Sequence, residues 1–171
     1  MSVASESLIV QRNYAHFHAD PTTIPTSLPY NISAPIKSSP ALTTLLVSNL
    51  KTILGDDQVL TGLNCTADSF YSSQGRLDPA FADQNTTLIA TLQSQYPTAT
   101  TLEMETYILY HLSEITTSPE TRIHTSAVTM IFFNRITNES VTKDRIRELE
   151  ETVGAPILES LRAFDLDAHV D

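Results

Sequence analysis

The chain has 171 residues, 41% of them apolar and 18% charged, proportions that fit one globular domain with a single core and exclude a disordered polymer. A formal net charge of −10, with three Lys and seven Arg, excludes a nucleic-acid surface, which needs clustered cations to neutralise phosphates. The single cysteine, Cys65, excludes an internal disulfide and fits a reducing compartment; with no signal-peptide pattern and no apolar run long enough to span a bilayer, a soluble cytoplasmic protein without membrane contact is expected.

In chain order, Val3–Gln11 carries Leu8-Ile9-Val10 and reads as a strand. His16 and His18 share one face of an extended segment, and Asp20 could join them around a metal. A tetrahedral site wants further ligands that the sequence does not identify, so polar lining of a pocket is expected and no metal is assigned. Pro21, Pro25, Pro29 and Pro35 argue against helix or central strand, so residues 21–38 are expected to form an ordered loop. Ser39–Leu54 predicts a helix with Ser39 as cap, Pro40 in the first turn and Gly55 at the end; Leu42, Leu45, Leu46, Val47, Leu50 and Ile53 form its apolar stripe.

Val59–Ala67 reads as a strand that contains Cys65, a small buried hydrophobe with no activating neighbour. Phe81–Tyr96 contains a helix ended by Pro97, and Thr98–Leu102 a short strand. Met104, Ile108, His111, Leu112 and Ile115 follow a helical spacing, so a helix is expected to begin near Glu103, with His111 a core or surface histidine. Ile123–Asn134 reads as a second buried strand. The final helix, within residues 142–165, turns Ile146, Leu149 and Val153 inward and should kink or break briefly at Gly154-Ala155-Pro156. Asp165–Asp171 is acidic and expected to fray. Strands alternating with helices imply an α/β sheet.

Two stretches carry chemistry. In Asp68–Arg76, Phe70 offers a flat aromatic face, Gln74 a donor and an acceptor, and Arg76 a fork of donors. Together they match the edge of uracil, whose N3–H donates while O2 and O4 accept, and Gly75 lets the backbone turn between them. In Glu103-Met104-Glu105, two carboxylates at a helix start gain from its dipole, and one pointing into the cleft could accept the hydroxyls of a ribose.

With both stretches and Asn134-Arg135, the sequence resembles the uridine phosphorylase branch of the nucleoside phosphorylase family over nearly its whole length. The resemblance implies a nucleoside phosphorylase-like α/β fold, a mixed central sheet flanked by helices. The implied reaction is phosphorolysis of uridine to uracil and ribose 1-phosphate in nucleoside salvage and catabolism, a pentosyl transfer. Gln74, Arg76 and Glu105 would be catalytic, Phe70 would stack on the base, Glu105 would hold the ribose with Met104 and Glu103 beside it, and Arg135 would flank the base. Inorganic phosphate is the implied co-substrate, with no other cofactor, and a homo-oligomer is implied if the fold is complete. In that family the phosphate-binding glycine-rich turn and its arginines come from the first third of the protein, which nothing here matches. Gly55, Gly62, Gly75 and Gly154 form no Gly-x-Gly arrangement. The chain is therefore expected to be a single domain, residues 1–171, truncated at its amino end and without the N-terminal strands of the family fold, which puts turnover by this chain alone in doubt. The alternative is a non-catalytic uracil- or nucleoside-binding module, or an assembly module.

Overall fold

The computed structural model describes residues 1–18, 20, 27–118 and 122–166. In chain order the elements are β1 (Ser2–Arg12), α1 (Tyr14–Phe17), β2 (Tyr30–Ile32), β3 (Ile36–Lys37), α2 (Pro40–Leu54), β4 (Leu60–Ala67), α3 (Leu88–Gln95), β5 (Ala99–Glu103), α4 (Thr106–Glu114), β6 (Ala127–Thr129) and α5 (Lys143–Ala163), with a turn of 3₁₀ helix at Asp56–Gln58.

The long strand β1 organises the sheet. Along one flank it pairs in parallel with β4, which pairs in parallel with β5. Three short antiparallel strands tile the other flank: β6 on Ser2–Ala4, β3 on Glu6–Ser7 and β2 on Val10–Arg12. The expectation of an ordered loop over residues 21–38 is thus corrected at Tyr30–Ile32 and Ile36–Lys37, which form short edge strands. Pro29 and Pro35 lie just outside the paired residues, so neither is asked for a ladder donor, and short edge strands tolerate such neighbours. Residues 21–26, and Asp167–Asp171 of the acidic terminus, lie outside the described residues.

Ser5 is an extra residue in β1, since Ala4 pairs with Gly62 and Glu6 with Leu63. This bulge resets which side chains face which way. Beyond it, Leu8 and Val10 share a face with Leu63, Cys65 and Ala67, and α3 covers them with Leu88 and Leu92. Ser7, Asn64 and Thr66 share the opposite face and are also buried. A second core gathers Val3, Leu42, Leu46 and Leu50 of α2 with Leu149 and Val153 of α5.

Further expectations meet the structure here. Ser39 makes no side-chain cap on α2; its hydroxyl accepts from Thr125 N at 3.0 Å, fixing the segment before β6 instead. Ile53, at the end of the α2 stripe, is 55% exposed. The helix expected near Glu103 is α4, which buries Thr106 and Tyr110 and leaves Ile108, Leu112 and Ile115 exposed; the Tyr110 hydroxyl donates to Ala4 O at 2.7 Å and sets its rotation. The expected strand Ile123–Asn134 shrinks to β6: Thr129 pairs with Ser2, after which the segment leaves the sheet, with Phe132 51% exposed. Of the kink or break expected at Gly154-Ala155-Pro156, the break does not occur: helix α5 continues through these residues, with the Ser160 hydroxyl donating to Pro156 O at 2.7 Å.

Candidate functional site

The loop that leaves β4 is folded tightly. Asp68 Oδ2 accepts from Arg12 N at 3.0 Å, and Asp68 Oδ1 accepts from the Ser73 hydroxyl. Gly75 N donates to Ser72 O and Arg76 N to Tyr71 O. Gly75 sits at φ +65, and a Cβ there would lie 2.8 Å from Ile89 Cγ1, so glycine is required both by its backbone and by the space.

This geometry turns Gln74 inward, leaving it only 5% exposed, where its Oε1 accepts from Arg135 Nη2 at 2.8 Å. The Arg76 guanidinium lies over the Phe70 ring, 3.9 Å from its centroid, and its Nε has no hydrogen-bond partner. Gln74, Arg76 and Arg135 line one cavity of about 360 Å³. Its walls come from Ile89, Leu92 and Gln93 of α3, from Cys65 and Ala99–Leu102 of the two parallel strands, and from the segment Thr129–Ile136.

The electrostatics of this cavity run against those of the chain. Two guanidiniums face it, and no Asp or Glu is among the residues that line it. Burial pushes the Arg135 pKa below its ordinary value, and the like charge of Arg76 pushes it further the same way. A cationic, partly apolar cavity with an amide at its edge suits a planar, electron-rich group. Burial, with Glu103 nearby, raises the Cys65 thiol to about 12, so it lines the cavity as a neutral apolar group.

The second stretch sits at the end of β5, next to the end of β4. Glu103 Oε1 accepts from Asn64 Nδ2 and Thr66 Oγ1, both at 2.6 Å. Its Oε2 accepts from Glu105 N and Thr106 N, both at 2.8 Å, and from Thr106 Oγ1 at 2.9 Å. Burial alone would raise the Glu103 pKa, but these hydrogen bonds from Thr66, Asn64, Glu105 and Thr106 outweigh it and hold it below the ordinary carboxylate value. Glu103 thus caps the start of α4 and ties it to the polar face of the sheet. Met104 and Glu105 are exposed, and Glu105 Oε2 accepts from Met104 N at 3.1 Å.

Of the residues picked from sequence, Gln74, Arg76 and Arg135 are brought into one cavity, with Phe70 held against Arg76. Glu103, Met104 and Glu105 stand together at the neighbouring strand end but do not line that cavity. The Thr129–Phe133 wall escaped notice because its apolar run read as buried strand. Gln93 and Thr101 carried no signal of their own. His16 is engaged by Ser27 O at 2.6 Å and Gln84 Oε1 at 3.1 Å, and no group of three or more His, Cys, Asp or Glu that could hold a metal ion occurs among the described residues. No helix among those residues is long and apolar enough to cross a membrane.

Two solved structures superpose on this fold. A uridine phosphorylase of the oomycete Phytophthora capsici superposes with a TM-score of 0.85 at 29% identity, over 96% of this chain and 60% of that one. A Trypanosoma brucei nucleoside phosphorylase that shows uridine phosphorylase activity superposes with a TM-score of 0.70 at 17% identity, over 95% of this chain and 57% of that one. The chain therefore spans less than two thirds of either. Its fold is that of the nucleoside phosphorylases over the part it spans, a mixed sheet flanked by helices. The sequence matches no protein-family model and no curated protein.

Proposed function

We propose that this chain carries the base- and sugar-recognition part of a nucleoside-processing enzyme, and that the reaction it serves is phosphorolysis of uridine. One observation carries the reading: a protein with a net charge of −10 keeps two arginines and an amide around a cavity whose lining has no carboxylate. Such a site favours a base that departs with negative charge.

In the proposed step an oxygen of inorganic phosphate forms a bond to C1′ of the ribose while the C1′–N1 bond breaks. The bonding pair stays on uracil and spreads to O2 and O4, and the base then takes a proton from solvent. Gln74 hydrogen-bonds the base edge, and Arg76 and Arg135 stabilise the developing anion, the preorganised donor arrangement that lowers such barriers most. Phe70 holds Arg76 over its ring, so the face expected to stack on the base carries the guanidinium instead. Glu105, with Met104 beside it, receives the ribose hydroxyls, and Glu103 holds that turn in place.

Calorimetry with uracil and uridine, followed by an absorbance assay of uracil release with and without phosphate, tests the reading. Binding of both ligands is the expected result, and any release that this chain supports should need phosphate. Absence of binding removes the base pocket; release at the same rate without phosphate would make the reaction a hydrolysis.

A further inference from the structure

Asn85 lies outside the base-recognition stretch, yet it is only 5% exposed and its Nδ2 donates twice. One bond goes to Ser72 O at 3.0 Å and the other to Arg76 O at 2.9 Å, so the two accepting carbonyls bracket Gln74 symmetrically, two residues to either side. The residue before it, Gln84, takes φ 49, a left-handed conformation uncommon outside glycine, and its side chain is held by His16 Nε2 at 3.1 Å. The residues after it lead directly into α3, with Leu88 N donating to Asn85 O at 3.1 Å. Helix α3 supplies Ile89, whose side chain closes on Gly75, and Gln93 in the cavity wall. One buried amide therefore joins the loop bearing Gln74 and Arg76 to the helix that forms the facing wall.

We infer that Asn85 is a positioning residue for base recognition: by fixing the carbonyls of Ser72 and Arg76 it sets where the Gln74 amide and the Arg76 guanidinium stand relative to the cavity. This rests on the base-pocket reading above. Both Nδ2 protons are needed, since each serves one carbonyl, and no other side chain of similar size places two donors on one atom in this way.

Asn85→Asp tests the inference. The substitution keeps the shape but sets carboxylate oxygens against two carbonyl oxygens. On acidification the new carboxyl gains a proton and can donate one of the two lost bonds. Uracil affinity is measured by calorimetry and read at each pH as a ratio to the wild-type chain, so that charge changes common to both proteins, at His16 among others, cancel. It should fall about tenfold in Asn85→Asp at pH 8 and recover in part towards pH 5. A general packing defect would not follow that pH profile. Equal affinity in the two proteins at pH 8, or a loss that pH does not change, overturns the inference while wild-type binding keeps the base pocket. Absence of uracil binding by the wild-type chain removes both. Should Asn85→Asp fail to fold, hydrogen exchange of the Asn85 Nδ2 protons in the wild-type chain decides: slowing on addition of saturating uracil supports the inference, and no change overturns it.

Discussion

Arg135 Nη2 donates to Gln74 Oε1 at 2.8 Å in the lining of the cavity, joining two residues 61 positions apart in the chain. The bond orients the amide so that its oxygen faces Arg135 and its nitrogen is available as a donor to a base carbonyl. Arg135→Met should therefore weaken uracil binding by about 1–3 kcal/mol and Gln74→Ala by a similar amount, the usual loss when a polar group is left unpaired. The double variant should lose less than the sum, because each removes the other's partner. Calorimetry on the four proteins gives the coupling directly, and full additivity would show that the two residues act separately.

The contact of Arg76 with Phe70 makes a second expectation. Phe70→Leu removes the ring face but keeps an apolar side chain, and should weaken uracil binding by about 0.5–2 kcal/mol through loss of the guanidinium's resting place. Phe70→Tyr should bind like the wild-type chain. Identical affinity for all three proteins would separate Phe70 from the site.

Glu103 predicts an acid limit to stability. Its folded pKa lies below its ordinary value, so the stability it contributes is present above the unfolded pKa of about 4.3 and is lost as pH falls through the folded one. Urea melts of the wild-type chain should show a drop in stability below about pH 4. Glu103→Gln should flatten that drop, and at neutral pH it should cost about 1–3 kcal/mol, since an amide nitrogen would replace an oxygen that now only accepts.

Cys65 is expected to be inert in the folded protein. With its thiol raised to about 12 by burial, a disulfide reagent at pH 8 should modify it only as fast as the chain opens, and in urea it should react at once. Rapid labelling of the folded chain would mean that the cavity admits the reagent to the strand.

On α4 the two faces should respond in opposite ways to what the apolar spacing suggests. Leu112→Gln, at a position 47% exposed, should change stability by no more than about 0.5 kcal/mol. Tyr110→Phe, which removes one hydroxyl bonded to Ala4 O, should cost about 1 kcal/mol. Melts of both variants check the pair.

That helix shows where the sequence could and could not be read. The strands β1, β4 and β5 and the helices α2, α3 and α5 follow from local patterns, because their apolar residues pack against elements that the same pattern implies. The rotation of α4 does not, since it is set by one tyrosine hydroxyl reaching a strand more than a hundred residues away. Strands β2 and β3 were hidden because prolines flank them, and β6 because the run continuing past it looks equally β-like. At the site, the Gln-Gly-Arg spacing was visible, and the resemblance to a known family drew attention to Arg135. The bracing by Asn85 was not visible, because a single asparagine before a helix carries no sign of what its amide will meet.

The tiling of β1 bears on how the chain is made. Among the described residues its flank is closed by residues 30–37 and, at the Ser2–Ala4 end, by residues 127–129. On the ribosome, that stretch of backbone stays bare until more than a hundred further residues have emerged, and contacts so distant in sequence slow folding. A nascent chain stalled before Ala127 would carry an open strand edge able to pair with another copy, so arrest at that point should leave aggregates where synthesis past Thr129 leaves none.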